Sequence, residues 1–181
     1  MADPRLSIII PTLNRGKLFH DTVRHCLEQR ESSWEMWLVD QSDEEQEAAN
    51  RAMVDELSDS RVHYLHLTER GVPNARNEGL ARCNGEIVLF LDDDVILLAD
   101  DFFDAHLDSY EDDEVGGVTG RIVERTVRPN TKHTANHISW GGRIITNLYG
   151  TEPCQIRSLK GANMSYRAKA IEQLGGFDRQ D

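Results

Sequence analysis

The 181-residue sequence is short of basic charge, cysteine and long apolar runs, and each shortage removes a class of protein. With 20 Lys and Arg against 32 Asp and Glu, the formal net charge is −12. A nucleic-acid-binding surface displaces counterions with clustered Lys and Arg, so no nucleic-acid partner is expected. Cys26, Cys83 and Cys154 are odd in number, far apart and in no Cys-x-x-Cys pair, which suggests neither a disulfide framework nor a thiolate zinc site. No stretch approaches the ~20 apolar residues that span a bilayer, and the first six residues hold no apolar core of signal-peptide length. The expected location is cytoplasmic, including peripheral attachment at the inner face of a membrane. Two phosphate-binding signatures are also missing. The segment after the first apolar run lacks the Gly-x-Gly-x-x-Gly turn of dinucleotide enzymes, and Gly16-Lys17 is followed by Leu18 instead of the Ser or Thr of a P-loop.

What remains is an ordinary soluble composition, 39% hydrophobic and 29% charged, in a chain long enough for one domain with a real core. Residues 6–10 form a β-branched run stopped by Pro11, read as a strand buried on both faces. Leu18, Phe19, Val23, Cys26 and Leu27 then fall on one helical face, with Asn14 and Gly16 loosening the entry. The alternation continues: strand at 34–39, helix through Ala48, Ala49, Ala52, Met53 and Leu57, strand at 62–67, helix opened by Pro73, an Asn84-Gly85 turn, and strand at 87–91. Such a β/α alternation predicts an α/β fold with a Rossmann-like, mostly parallel central sheet flanked by helices. Asp100 or Asp101 is expected to cap a helix carrying Phe102, Phe103, His106 and Leu107, followed by a Gly-interrupted strand at 115–123. Residues 128–153 show no sustained period and read as a long loop. A short strand at 162–166 and a helix at 168–174, closed by Gly175-Gly176, complete the chain.

Ligands of open α/β sheets bind outside the carboxyl ends of the strands. Three polar segments fall there: Pro11-Thr12-Leu13-Asn14-Arg15, Asp40-Gln41-Ser42-Asp43 and Asp92-Asp93-Asp94. Three adjacent carboxylates repel unless a cation or protons compensate them. Mg²⁺ or Mn²⁺ accepts one or two carboxylates and completes its shell with water and phosphate oxygens, so the run predicts a phosphate-bearing ligand. Side chains alternate along an extended segment, which turns Asp92 and Asp94 to one side and Asp93 to the other. An acid after the second strand, Asp40, suits a nucleobase N–H or ribose hydroxyls, against the plainer reading of an exposed loop carboxylate. Arg76 can hold a phosphate or base edge, or a surface ion pair.

Taken in order, Ser7-Ile8-Ile9-Ile10-Pro11-Thr12-Leu13-Asn14-Arg15, Leu38-Val39-Asp40, Ala75-Arg76-Asn77-Glu78-Gly79, Gly85-Glu86-Ile87 through Asp94, and Gly175-Gly176-Phe177-Asp178 resemble the family 2 glycosyltransferases of the GT-A fold, in the nucleotide-diphospho-sugar transferase superfamily. The resemblance implies a metal-dependent inverting transfer of a sugar from a nucleotide-diphosphate donor, UDP-, GDP- or TDP-linked, to a hydroxyl of a glycan, lipid-linked or protein acceptor. Asp92-Asp93-Asp94 becomes the DXD motif, with Mn²⁺ or Mg²⁺ on Asp94 and Asp92, the latter also suited to the ribose. Pro11, Thr12, Asn14 and Arg15 lie beside the nucleotide, Asp40 reads the base, Arg76 holds base or phosphate, and Asp92 and Asp93 complete the donor-binding set. A single domain over 1–181 is implied, with a nucleotide half at 1–98 and the start of an acceptor half at 99–181.

The family's general base is an acid a short distance beyond the Gly-Gly-Phe-Asp piece. Asp178 and Asp181 are the available carboxylates here, and the base is expected beyond Asp181. Gly161-Ala162-Asn163-Met164-Ser165 also resembles the family, as a backbone approach to donor sugar or acceptor or as a tight turn. Trp140 beside Gly141-Gly142 suits a sugar-stacking lid or a half-buried loop Trp, and His133 with His137 has the spacing of a helical metal pair in irregular surroundings. A chain that binds donor and metal without catalysing transfer is the alternative function.

Overall fold

The computed structural model describes residues 3–123, 137–138, 144–145, 153–156 and 158–179. In chain order the elements are β1 (Leu6–Thr12), α1 (Lys17–Leu27), β2 (Trp34–Asp40), α2 (Glu44–Leu57), β3 (Val62–His66), α3 (Val72–Leu80), β4 (Ile87–Leu91), α4 (Phe102–Asp108), β5 (Gly117–Thr119), β6 (His137–Ile138), β7 (Ile144–Ile145), β8 (Asn163–Arg167) and α5 (Ala168–Gln173). The main sheet runs β3-β2-β1-β4-β8-β5, and β6 pairs separately with β7. The first four strands are mutually parallel, whereas β8 lies antiparallel between β4 and β5. The α/β class and the mostly parallel sheet are as the alternating pattern predicts.

The apolar runs of β1 and β4 are continuous because both sheet faces are covered. Ile8, Ile10, Leu89 and Leu91 join Phe19, Val23 and Phe103 from α1 and α4 on one face. Ile9, Val88 and Phe90 meet Ala75 of α3, Met164 of β8 and Ile171 of α5 on the other. Gly79 lets α3 lie flat on the sheet, since a Cβ there would stand 2.7 Å from Ile9 Cγ2. Gly175 and Gly176, at φ 81° and 77°, end α5 in the left-handed region expected of them.

Five expectations need correction. Pro11 does not stop the first strand, which continues to Thr12. Pairing with β4 ends at Ile9 and Phe90, while pairing with β2 continues to Thr12 and Asp40. The Thr12 carbonyl accepts from Gln41 N on the β2 side, so alternation turns the Pro11 nitrogen towards β4, where no partner is lost. On α1, Leu18 is exposed and Thr22 takes the buried place. On α2 the three alanines face outward, and the fully buried residue is Asn50. The strand at 115–123 shrinks to Gly117–Thr119. Asp101 does stand at the start of α4, but its side chain makes no cap bond. Gln29 replaces it, its Oε1 accepting from Phe102 N at 2.9 Å and Phe103 N at 3.4 Å.

Candidate functional site

After β1 the chain turns to one side to build β2 and β3, then crosses to the other side as β4. A parallel sheet opens a crevice at such a reversal. Here β1 and β4 part beyond Ile9 and Phe90, and the tips of both strands carry polar residues: Thr12 on one, Asp92 to Asp94 on the other. Asp93 turns inward, only 8% exposed, and accepts from Thr12 Oγ1 at 2.6 Å. Thr22 of α1 shares its hydroxyl proton between the carbonyls of Asp93 and Val95, each at 3.0 Å. The side chains of Asp92 and Asp94 are 40% and 44% exposed. Burial raises the pKa of Asp93, opposed by the Thr12 bond and Arg15. It raises that of Asp92 too, where the pull of Arg76 is countered by the charge of Asp94.

Two arginines face these acids in different ways. Arg76, in α3, has a side chain only 12% exposed, donates to the Gly161 carbonyl at 2.9 Å and to Asp92 at 3.3 Å, and lies 5.4 Å from the centre of the Phe177 ring. Burial lowers its pKa against the pull of Asp92. Its Nε is buried and has no hydrogen-bond partner among the described residues. Arg15 is half exposed and touches Asp93 and Asp94 only as ion pairs, at 3.7 and 3.8 Å. The backbone beneath it is fixed: Asn14, at φ 54°, donates its N–H to Ser42 Oγ at 2.8 Å, and its side chain donates to Asp43 Oδ2 and accepts from the Asp43 N–H, each at 2.9 Å.

Asp40 is fully buried, which removes the reading of an exposed loop acid. Its carboxylate accepts from Ser42 N at 2.8 Å, Asn50 Nδ2 at 2.7 Å and Tyr64 OH at 2.6 Å. Burial works against its ionisation, yet the bonds from Ser42, Tyr64 and Asn50 outweigh it and hold the carboxyl below its usual range. Asn50 and Tyr64 had no sequence signal, because both sit at half-polar positions of amphipathic elements. Gln41 closes the next layer, taking the Gly71 N–H on Oε1 at 3.3 Å and donating to the Glu69 carbonyl at 2.5 Å.

The 161–165 segment forms a turn leading into β8. It touches the site through its backbone, for the Ala162 carbonyl accepts Asp92 N at 3.2 Å and that of Gly161 accepts Arg76. Behind it runs a buried polar chain that the sequence did not announce. His106 bonds Asn163 Oδ1 through Nε2 at 2.9 Å and Ser165 Oγ through Nδ1 at 2.8 Å, and Ser165 Oγ meets Tyr110 OH at 2.8 Å. An amide oxygen only accepts, so Nε2 carries the proton and Nδ1 accepts from Ser165. Burial lowers the His106 pKa to about 4, keeping it neutral. Asp178 lines a shallow hollow of about 680 Å³ with Phe177, Asn77 and Glu172. His133, Trp140, Gly141, Gly142 and Asp181 lie outside the described residues, and only the backbone of His137, in β6, is described.

Among the described residues no group of three or more His, Cys, Asp or Glu side chains converges as a metal cage. Asp92 and Asp94 are two carboxylates with accessible oxygens, a donor set that suits Mg²⁺ or Mn²⁺ when phosphate and water fill the other positions. None of the described helices is long and apolar enough to cross a membrane.

The chain is 24% identical over 179 residues to a glucosyl-dolichyl phosphate glucuronosyltransferase of Haloferax volcanii, covering 96% of this chain and 56% of that protein. It is 32% identical over 100 residues to an Escherichia coli UDP-Glc:alpha-D-GlcNAc-diphosphoundecaprenol beta-1,3-glucosyltransferase, covering 55% and 38%. The fold matches that of a Pyrobaculum calidifontis mannosyltransferase solved with GDP-Man and Mn²⁺, at TM-score 0.74 and 24% identity over 98% of this chain and 48% of that one. The chain thus spans roughly a third to just over half of these proteins' lengths. Residues 7–175 match Glycosyl transferase family 2, and the chain belongs to that family.

Proposed function

We propose that this chain is the donor-binding part of a metal-dependent, inverting glycosyltransferase, with residues 1–98 holding the nucleotide and 99–181 beginning the acceptor side. The observation that carries the reading is the pair of accessible carboxylates, Asp92 and Asp94, flanked by Arg15 and Arg76 at the fork between β1 and β4.

In this reading Asp94 and Asp92 hold Mn²⁺ or Mg²⁺, Asp92 within reach of the ribose as well. The cation supplies positive charge against the leaving diphosphate as the anomeric carbon–oxygen bond breaks. Asp93 does not take part directly; with Thr12 it holds the run in place. Arg76 lends its charge to phosphate or base from beside Asp92, while Pro11, Thr12, Asn14 and Arg15 form the loop beside the nucleotide. Asp40 acts on the base from behind, by ordering Ser42 and the Gln41 layer, or directly after release of one of its own partners.

Inversion requires a carboxylate that takes the acceptor hydroxyl's proton during in-line attack. The base is expected beyond Asp181, with Asp178 and Asp181 as the candidates within this sequence, of which Asp178 is among the described residues. The names of two relatives point to lipid-linked acceptors, which suits a cytoplasmic protein attached peripherally at a membrane's inner face; a glycan or protein acceptor uses the same donor site. Because the chain spans 56% or less of these relatives, donor binding without transfer is the second reading for the chain on its own.

Thermal-shift titration with UDP-, GDP- and TDP-sugars, with and without Mn²⁺, tests the donor site. Binding at about 100 times Kd should stabilise the wild type by about 2.7 kcal/mol, or roughly 5–10 °C, and Asp94→Ala should lose the metal-dependent share. Absence of metal-dependent stabilisation by every nucleotide would sink the proposal. Sugar transfer to an acceptor then separates the enzyme from the binding module.

A further inference from the structure

The two arginines at the acid run are built for different work. Arg76 is locked by the Gly161 carbonyl, by Asp92 and by the Phe177 ring beneath it, with little exposure. It cannot leave without opening the turn before β8. Arg15 has none of that support. Among the described residues its side chain makes no hydrogen bond, and two ion pairs at 3.7 and 3.8 Å are all that hold its half-exposed guanidinium over Asp93 and Asp94. Its backbone is fixed on both sides, by the Asn14 bonds to Ser42 and Asp43 and by the turn at Gly16, φ 49°, that starts α1. The side chain is therefore a tethered arm with a fixed shoulder and a loose hand.

A divalent cation on Asp94 would stand within a few ångströms of that guanidinium, and two cations so close repel strongly. Arg15 Nη2 lies 3.8 Å from Asp94 Oδ2, one of the two oxygens such a cation would use. Asp93 offers no alternative place for the cation, because its Oδ2 is taken by Thr12 and its side chain is 11% exposed.

We propose that Arg15 is a stand-in cation, which competes with the divalent metal for Asp94 and, when the metal arrives, moves to the diphosphate of the donor. Resting on the metal-and-nucleotide reading above, this adds a coupling between the two ligands. Metal alone must expel Arg15 into solvent. Metal with a nucleoside diphosphate gives the displaced guanidinium a planar, bidentate partner. Each ligand then favours the other by the same factor.

The test is Mn²⁺ binding, read from the loss of the free aqua-ion signal in electron paramagnetic resonance, with Mn²⁺ alone and then with UDP, GDP or TDP. For the wild type, weak binding of Mn²⁺ alone and a marked gain with one nucleotide are expected. Arg15→Gln should bind Mn²⁺ alone about five- to tenfold tighter and lose a similar factor from the nucleotide-induced gain. Arg15→Lys, which keeps the charge but not the fork, should bind Mn²⁺ alone like the wild type and recover only part of the gain. Binding of Mn²⁺ alone that is unchanged or weaker in Arg15→Gln, with nucleotide-coupled Mn²⁺ binding still present, overturns the stand-in role and leaves the metal reading intact. If the wild type binds no Mn²⁺ with any of the three nucleotides, the metal reading itself falls and the role of Arg15 with it.

Discussion

Asn77 and Phe177, 100 residues apart, hold each other by two opposed hydrogen bonds: Asn77 Nδ2 donates to the Phe177 carbonyl at 2.8 Å, and the Phe177 N–H returns to Asn77 Oδ1 at 2.9 Å. A Cβ on Gly176 would lie 2.5 Å from that Oδ1, so the glycine before Phe177 is what allows the approach. The pair docks the Gly-Gly-Phe-Asp piece on α3 and keeps the Phe177 ring under Arg76. Asn77→Ala should lower stability by about 1–3 kcal/mol and expose the Phe177 amide to faster hydrogen exchange. An unaltered exchange rate at Phe177 would show that the piece is held by other contacts.

Thr12→Val keeps the shape of the side chain but removes the donor that Asp93 Oδ2 accepts. At neutral pH the loss should be about 1–3 kcal/mol, since a buried carboxylate is left short of a partner. Burial already raises the Asp93 pKa, so the folded state takes up this proton more readily than the unfolded chain, and acid favours folding at this group. The penalty of the variant should therefore shrink as pH falls. Urea unfolding of both proteins at neutral and mildly acidic pH measures it, and a penalty independent of pH contradicts the assignment.

Acid has the opposite effect at His106. Its folded pKa of about 4 lies below that of an unperturbed His, so the unfolded chain binds the proton first, and stability falls as pH drops from about 6.5 towards 4. The loss attributable to this group is about 3 kcal/mol, taking 1.36 kcal/mol per pKa unit. His106→Leu should be less stable at neutral pH, because Asn163 and Ser165 lose their partner, and should show a flatter acid limb. Equal limbs would mean that His106 protonates without breaking the chain.

The cap of α4 gives a paired comparison. Gln29→Ala removes the acceptor of two helix N–H groups together with a donor to the Ala99 carbonyl at 2.9 Å, and should cost about 1–2 kcal/mol. Asp101→Ala should cost much less, having no cap bond to lose. Denaturant midpoints of the two variants decide this, and the reverse order would restore Asp101 as the cap.

The parts legible in the sequence were those governed by periodicity and by short-range order. The span of β4, residues 87–91, needed only its apolar run between a turn and an acid cluster, and the inward Asp93 followed from strand alternation. Long-range polar pairing was not legible. Thr22 is a polar residue among the apolar positions of α1, and it ties that helix to the carbonyls of Asp93 and Val95. Asn50 and Tyr64 meet only at Asp40, and Gln29 reaches across 73 residues to Phe102. No local pattern encodes which polar side chain closes such a gap, because the gap exists only once the elements are packed.

The bond from Thr12 to Asp93 joins the tips of β1 and β4 where their backbone pairing has stopped, and Thr22 clamps the next turn. Freedom that would otherwise be lost on occupation has already been surrendered during folding. Little ordering entropy is then charged against a ligand arriving between these strands. Softening the floor, even far from any atom that touches the ligand, would weaken binding through entropy while leaving every direct contact in place.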